Sequence, residues 1–153
     1  MGRRATAVAV VLAVVLAASI GGFAAAPASA VSRTSWYFAE GYTGGGFQEY
    51  ICIANPGTTA ARVGGDFIFN GGGSVSRSFT VNAQSRFTVD VNSVVGAGKE
   101  VSAVMTSDHP DLAMERPIYF HYNGGVVGSH CVTAAPAPSR AWYLAEGAFA
   151  PIS

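Results

Sequence analysis

The chain has 153 residues, half of them hydrophobic, only 12% charged, and no net formal charge at neutral pH. That balance offers no basic field to hold nucleic acid or an anionic membrane surface. The 123 residues after a leader-like N-terminus carry seven basic and nine acidic side chains, enough chain for one core and too little for two domains.

Residues 1–30 read as a signal peptide. Arg3-Arg4 precedes an apolar run over residues 5–23, and Ala28-Ser29-Ala30 supplies a small-x-small cleavage box, so cutting after Ala30 leaves Val31 as the mature N-terminus. The expectation is a secreted or cell-surface protein with no membrane insertion after cleavage, because no later segment is apolar enough to span a bilayer.

Residues 31–135 then read as short strands punctuated by glycine. Residues 36–39 form the first, and Gly41-Tyr42-Thr43-Gly44-Gly45-Gly46 a flexible loop. Residues 49–54 are apolar on both faces, as a central strand would be, and Asn55-Pro56-Gly57 is a turn. Residues 62–69 and 74–81 flank Asn70-Gly71-Gly72-Gly73, and strict alternation in the second makes the pair a hairpin. Strands follow over residues 87–92, 101–106 and 112–122, with Pro117 expected at an edge or bulge because it has no N–H for a ladder. Asn123-Gly124-Gly125 turns the chain into residues 126–132. Seven or eight short strands without a helix predict an all-β fold, an antiparallel immunoglobulin-like β-sandwich.

Trp36-Tyr37-Phe38-Ala39-Glu40-Gly41 returns 106 residues later as Trp142-Tyr143-Leu144-Ala145-Glu146-Gly147. A phrase recurring at a domain-sized interval marks a tandem repeat. Residues 136–153 are therefore read as a linker, with Pro136 and Pro138, and the first strand of a second, truncated repeat. Trp36, Tyr37, Tyr42, Trp142 and Tyr143 are candidates for contact between repeats or for stacking on glycans.

Cys52 and Cys131 are an even pair in an exported chain, so a disulfide and two separate thiols both stay open. Glu115 is expected to pair with Arg86 or Arg116 and fix strand register. His109, His121 and His130 lack metal-ligand spacing, Ser107-Asp108-His109 cannot fold into a hydrolytic triad from adjacent positions, and Gly98-Lys99 lacks the rest of a phosphate loop. The expectation is a protein that is not an enzyme and uses no cofactor.

Trp36-Tyr-Phe-Ala-Glu-Gly-Tyr-Thr-Gly-Gly-Gly-Phe47, Tyr50-Ile-Cys-Ile-Ala-Asn-Pro56, Ser85-Arg-Phe-Thr-Val-Asp-Val-Asn92, Glu115-Arg-Pro-Ile-Tyr-Phe120 and Gly128-Ser-His130 occur together and in order. This set resembles a tandem-repeat family of bacterial secreted and cell-surface proteins, over nearly all of the chain after the leader. The resemblance implies immunoglobulin-like units of about 100 residues, serving as structural or adhesive modules beside neighbouring repeats or other surface modules. A carbohydrate-binding module recognising polysaccharide is the alternative. Cys52 fits the pattern and Cys131 departs from it, so the resemblance implies no family-wide disulfide.

Overall fold

The computed structural model describes residues 33–122 and 125–143. The leader with its cleavage box, Asn123-Gly124 and the second phrase from Leu144 onward lie outside the described residues. Eight strands run in the order β1 (Thr34–Phe38), β2 (Phe47–Asn55), β3 (Ala61–Phe69), β4 (Ser74–Val81), β5 (Ser85–Asp90), β6 (Val101–Ser107), β7 (Ala113–Tyr122) and β8 (Val126–Thr133). They form two antiparallel four-stranded sheets, ordered β1-β6-β3-β4 and β5-β2-β7-β8. Side chains from both sheets, among them Trp36, Phe38, Ile51, Ile53, Phe67, Val89 and Met105, share one core, which makes the unit a β-sandwich.

Several elements can be traced directly to their residues. β2 lies between β5 and β7, its Ile51 and Ile53 face the core, and Cys52 on the outward side is covered by Arg86 and Thr88 while Gln48 and Ala54 on that side are exposed. The β3–β4 hairpin closes where Gly71, Gly72 and Gly73 all have positive φ, a region that side chains with a Cβ avoid.

Two expectations fail for local reasons. Val91 and Asn92 open a one-turn helix, α1 (Val91–Val95), instead of continuing a strand. Asp90 caps it, accepting from the Ser93 backbone N–H at 3.2 Å and the Ser93 hydroxyl at 2.7 Å, while Val91 and Val95 turn into the core. Pro117 lies at neither an edge nor a bulge, because β7 runs between β2 and β8. The β2–β7 ladder breaks at Tyr50/Pro117 and Ile51/Arg116 and resumes in the same register. An interrupted ladder, instead of a displaced strand, absorbs the missing N–H.

Candidate functional site

Strand parity decides what faces inward. On β2, Glu49 shares its side with Ile51 and Ile53, and on β7, Arg116 shares its side with Met114 and Ile118. Glu49 and Arg116 are thus carried between the sheets, where each is only 1% exposed. Glu40, just past the end of β1, reaches in from the rim, and its Oε1 lies 3.4 Å from Arg116 Nη2. Gly41 comes next, and a Cβ there would overlap the Glu49 carboxylate. The Glu-Gly of the repeated phrase therefore has a structural meaning: one residue meets the buried guanidinium, the other leaves room for the buried acid.

This cluster is incompletely satisfied. Glu49 Oε2 and Arg116 Nε and Nη1 are buried without a hydrogen-bond partner. Burial raises the Glu49 pKa from 4.5 to about 7, with Arg116 and the Tyr42 backbone N–H opposing the shift and Glu40 adding to it. A folded-state pKa above the unfolded value means the folded chain keeps this proton where the unfolded chain has released it. Stability supplied by Glu49 is fully present below about pH 4.5 and is lost as pH rises to about 7. We expect the unfolding free energy to fall by up to about 3 kcal/mol across that window. Glu49→Gln should flatten the slope and raise stability at pH 8, measured by urea unfolding at several pH values; parallel profiles for the two proteins would contradict it.

Around the cluster, the glycine-rich segment between β1 and β2 is pinned instead of free. Thr43, 1% exposed, donates its hydroxyl to the Gly96 carbonyl at 2.7 Å and accepts from the Lys99 N–H at 3.1 Å. Asn92 Nδ2 donates to the Thr43 and Phe47 carbonyls, each at 3.0 Å, while its Oδ1 accepts from the Glu49 N–H at 2.9 Å. One amide on α1 thus holds the loop and the acid-bearing strand together.

This buttress shapes a groove of about 720 Å³ at the same end of the sandwich. Tyr42, Phe47 and Phe69 give it aromatic walls, and Glu40, Asn70 and Glu100 a polar rim. Tyr42 meets Phe47 edge-on at a centroid distance of 5.2 Å. Asn70 Nδ2 donates to the Glu100 carboxylate, and Lys99 Nζ sits 5.4 Å from the centre of the Phe69 ring.

The residues singled out by sequence scatter over the unit. Trp36 is in the core at 8% exposure, whereas Trp142 is 63% and Tyr143 96% exposed. Tyr37 and Trp142 border one small hollow behind β1, and Tyr42 lies apart in the groove. The expected Glu115 pair does not form: consecutive residues on β7 face opposite ways, so Arg116 turns in to Glu40 while Glu115 turns out. Arg86 instead donates from Nη2 to Cys52 Sγ at 2.8 Å, and the Cys131 thiol donates to Glu115 Oε2 at 3.7 Å.

Both cysteines are free. Cys52 on β2 and Cys131 on β8 flank β7 from opposite sides. Two strand spacings of about 4.8 Å exceed the roughly 7 Å Cα limit of a disulfide. Desolvation and the Glu115 carboxylate hold the Cys131 thiol above its ordinary pKa, which keeps it a poor nucleophile at neutral pH. Among the described residues, no three or more His, Cys, Asp or Glu side chains gather in a way that could hold a metal, and no helix is long and apolar enough to cross a membrane.

Sequence reasoning missed Glu49, Thr43 and Asn92. Only the first left a signal, a carboxylate in phase with the inward-facing isoleucines of a central strand.

No protein-family model and no curated protein matches the sequence. Among solved structures, the crystal structure of Thermotoga maritima 1070 is similar at a TM-score of 0.62 and 17% identity, covering 67% of this chain and 92% of that one. An Anabaena sensory rhodopsin transducer aligns with a TM-score of 0.49 and 24% identity, over 56% of this chain and 87% of its own. At such identities the likeness to the Thermotoga protein concerns the fold alone.

Proposed function

We propose that this chain is an exported, non-catalytic structural unit of a bacterial surface or extracellular repeat protein, in which each Trp-Tyr-x-Ala-Glu-Gly phrase is the first strand of one sandwich. We take the unit as immunoglobulin-like in the broad sense of two packed antiparallel sheets, with a strand order of its own. The observation that carries the reading is one phrase in two environments. In the first copy Trp36 and Phe38 fill the core, and Glu40 meets Arg116. In the second, Tyr143 is 96% exposed and Trp142 63%, bordering the hollow behind β1 instead of filling a core. The second phrase keeps the residues the first one uses, with Leu144 for Phe38, Glu146 for Glu40 and Gly147 for Gly41. It has the chemistry of a first strand.

The linker supports the same reading. Tyr37 and Ala135 exchange two backbone hydrogen bonds, N–H to carbonyl at 2.9 and 3.0 Å. That holds Ala135 on β1, and the segment beyond it, stiffened by Pro136 and Pro138, runs past Tyr37 and Val104, where Pro138 and Trp142 border a small hollow. A string of units joined so is a spacer, holding other modules at a set distance from the cell. The reading is tested by fractionating the native bacterium and sequencing the N-terminus of the protein found. A mature form starting at Val31, at the surface or in the medium, is expected; a cytosolic protein retaining residues 1–30 would sink it.

A further inference from the structure

We propose that the groove bordered by Tyr42, Phe47 and Phe69 is a binding site for a neutral sugar ring. The groove lies within one unit, so this inference stands apart from the repeat reading. Its walls are aromatic and its rim offers oxygen acceptors, the pairing a pyranose needs: C–H faces against rings, hydroxyls to carboxylates and amides.

Two features distinguish this groove from an ordinary surface dent. The first is that its acceptors are set in place beforehand. Glu40 has a side chain 79% exposed, yet the buried Arg116, at 2%, holds it at the rim. Glu100 is held by Asn70, and Tyr42 bridges to Glu100 through backbone pairing. Side chains already ordered lose less entropy on binding than free ones. The second feature is the unused hydrogen-bonding capacity of Glu49 and Arg116 directly behind Gly41, a groove-lining residue. A fold seldom leaves two nitrogens of a buried guanidinium unpaired for stability alone, because such groups are destabilising. Here the guanidinium anchors a carboxylate that points into the open.

Charge decides the class of ligand. The negative rim of Glu40 and Glu100 is offset by Arg116 behind Glu40 and Lys99 over the Phe69 ring, with Glu49 behind Gly41 only partly ionised near neutral pH. The local field is near balance, so neither a polyanion nor a polycation is favoured over a neutral polyol.

Isothermal titration of the exported chain with cellohexaose, maltohexaose, mannohexaose and chitohexaose tests the proposal, with polygalacturonate as the charged comparator. At least one neutral oligosaccharide should bind with a dissociation constant in the micromolar to millimolar range, as expected of about one stacked ring and a few hydrogen bonds. Tyr42→Ala and Glu100→Gln should each weaken it by about tenfold or more. Glu100 is exposed, so the second variant keeps the test open if the first fails to fold. Tyr119→Ala, on the opposite face of β7 from Ile118 and 51% exposed, should leave affinity unchanged. The proposal is overturned if no neutral oligosaccharide binds at about 5 mM, too weak for a built site, if only polygalacturonate binds, if binding is unchanged by Glu100→Gln, or if it is lost in Tyr119→Ala.

Discussion

Arg116→Ala lowers the unfolding free energy by about 3–5 kcal/mol at pH 8, the cost of leaving a buried charge without its counter-charge. Arg116 is flanked by Glu49 and Glu40, and both acids lose their cation at once. Against a total stability of roughly 5–15 kcal/mol, that loss brings the unit close to unfolding. The variant also removes an influence that holds the Glu49 pKa down, so the falling limb of stability against pH should extend above pH 7. Adding Glu49→Gln should restore part of the loss, because a neutral amide needs no counter-charge. Urea unfolding of the two single variants and the double gives the coupling directly. Additive losses would mean that Glu49 and Arg116 do not act as a pair.

Trp36→Ala should likewise cost about 3–5 kcal/mol, as large-to-small changes of aromatic core residues do. Trp36 packs among Phe38, Phe67 and Met105 in the shared core and lies opposite Met105 in the β1–β6 ladder. The matching change in the second phrase, Trp142→Ala, should alter stability by no more than about 0.5 kcal/mol, since Trp142 is 63% exposed. The contrast isolates environment from residue type. A urea midpoint indifferent to Trp36→Ala would remove this tryptophan from the core and with it the structural meaning of the phrase.

How far the sequence could be read depended on the range of each interaction. The β3–β4 hairpin was legible almost to the residue, because alternation and a run of glycines act within a few positions. The central place of β2 was legible for the same reason, although on its outward face only Cys52 is buried while Gln48 and Ala54 are exposed. The helix α1 was not: five residues are too few for a helical period, and its cap depends on Asp90 and Ser93 in a strand-like stretch. Pro117 shows that a ladder can lose two rungs without losing register, which no local rule forecasts.

The site was harder still. Parity tells which way Arg116 points, but its partner Glu40 is 76 positions away and on the other sheet's margin. The buttress of Thr43 and Asn92 joins segments 49 residues apart through a single amide. The repeated phrase flagged Glu40 and Gly41 by recurrence without saying what they meet. The crossing of strands between the two sheets is likewise a property of the assembled core, where only side-chain fit across the interior selects the order.

The proposed spacer, read as units that each open on the phrase and rest on the next, is tested most directly by a chain of two complete units joined through the native residues 134–141, unfolded in urea beside a single unit. The account predicts a higher midpoint for the two-unit chain, since nearest-neighbour contact adds to the stability of each unit. Two units that unfold independently, at the midpoint of the single unit, would contradict it.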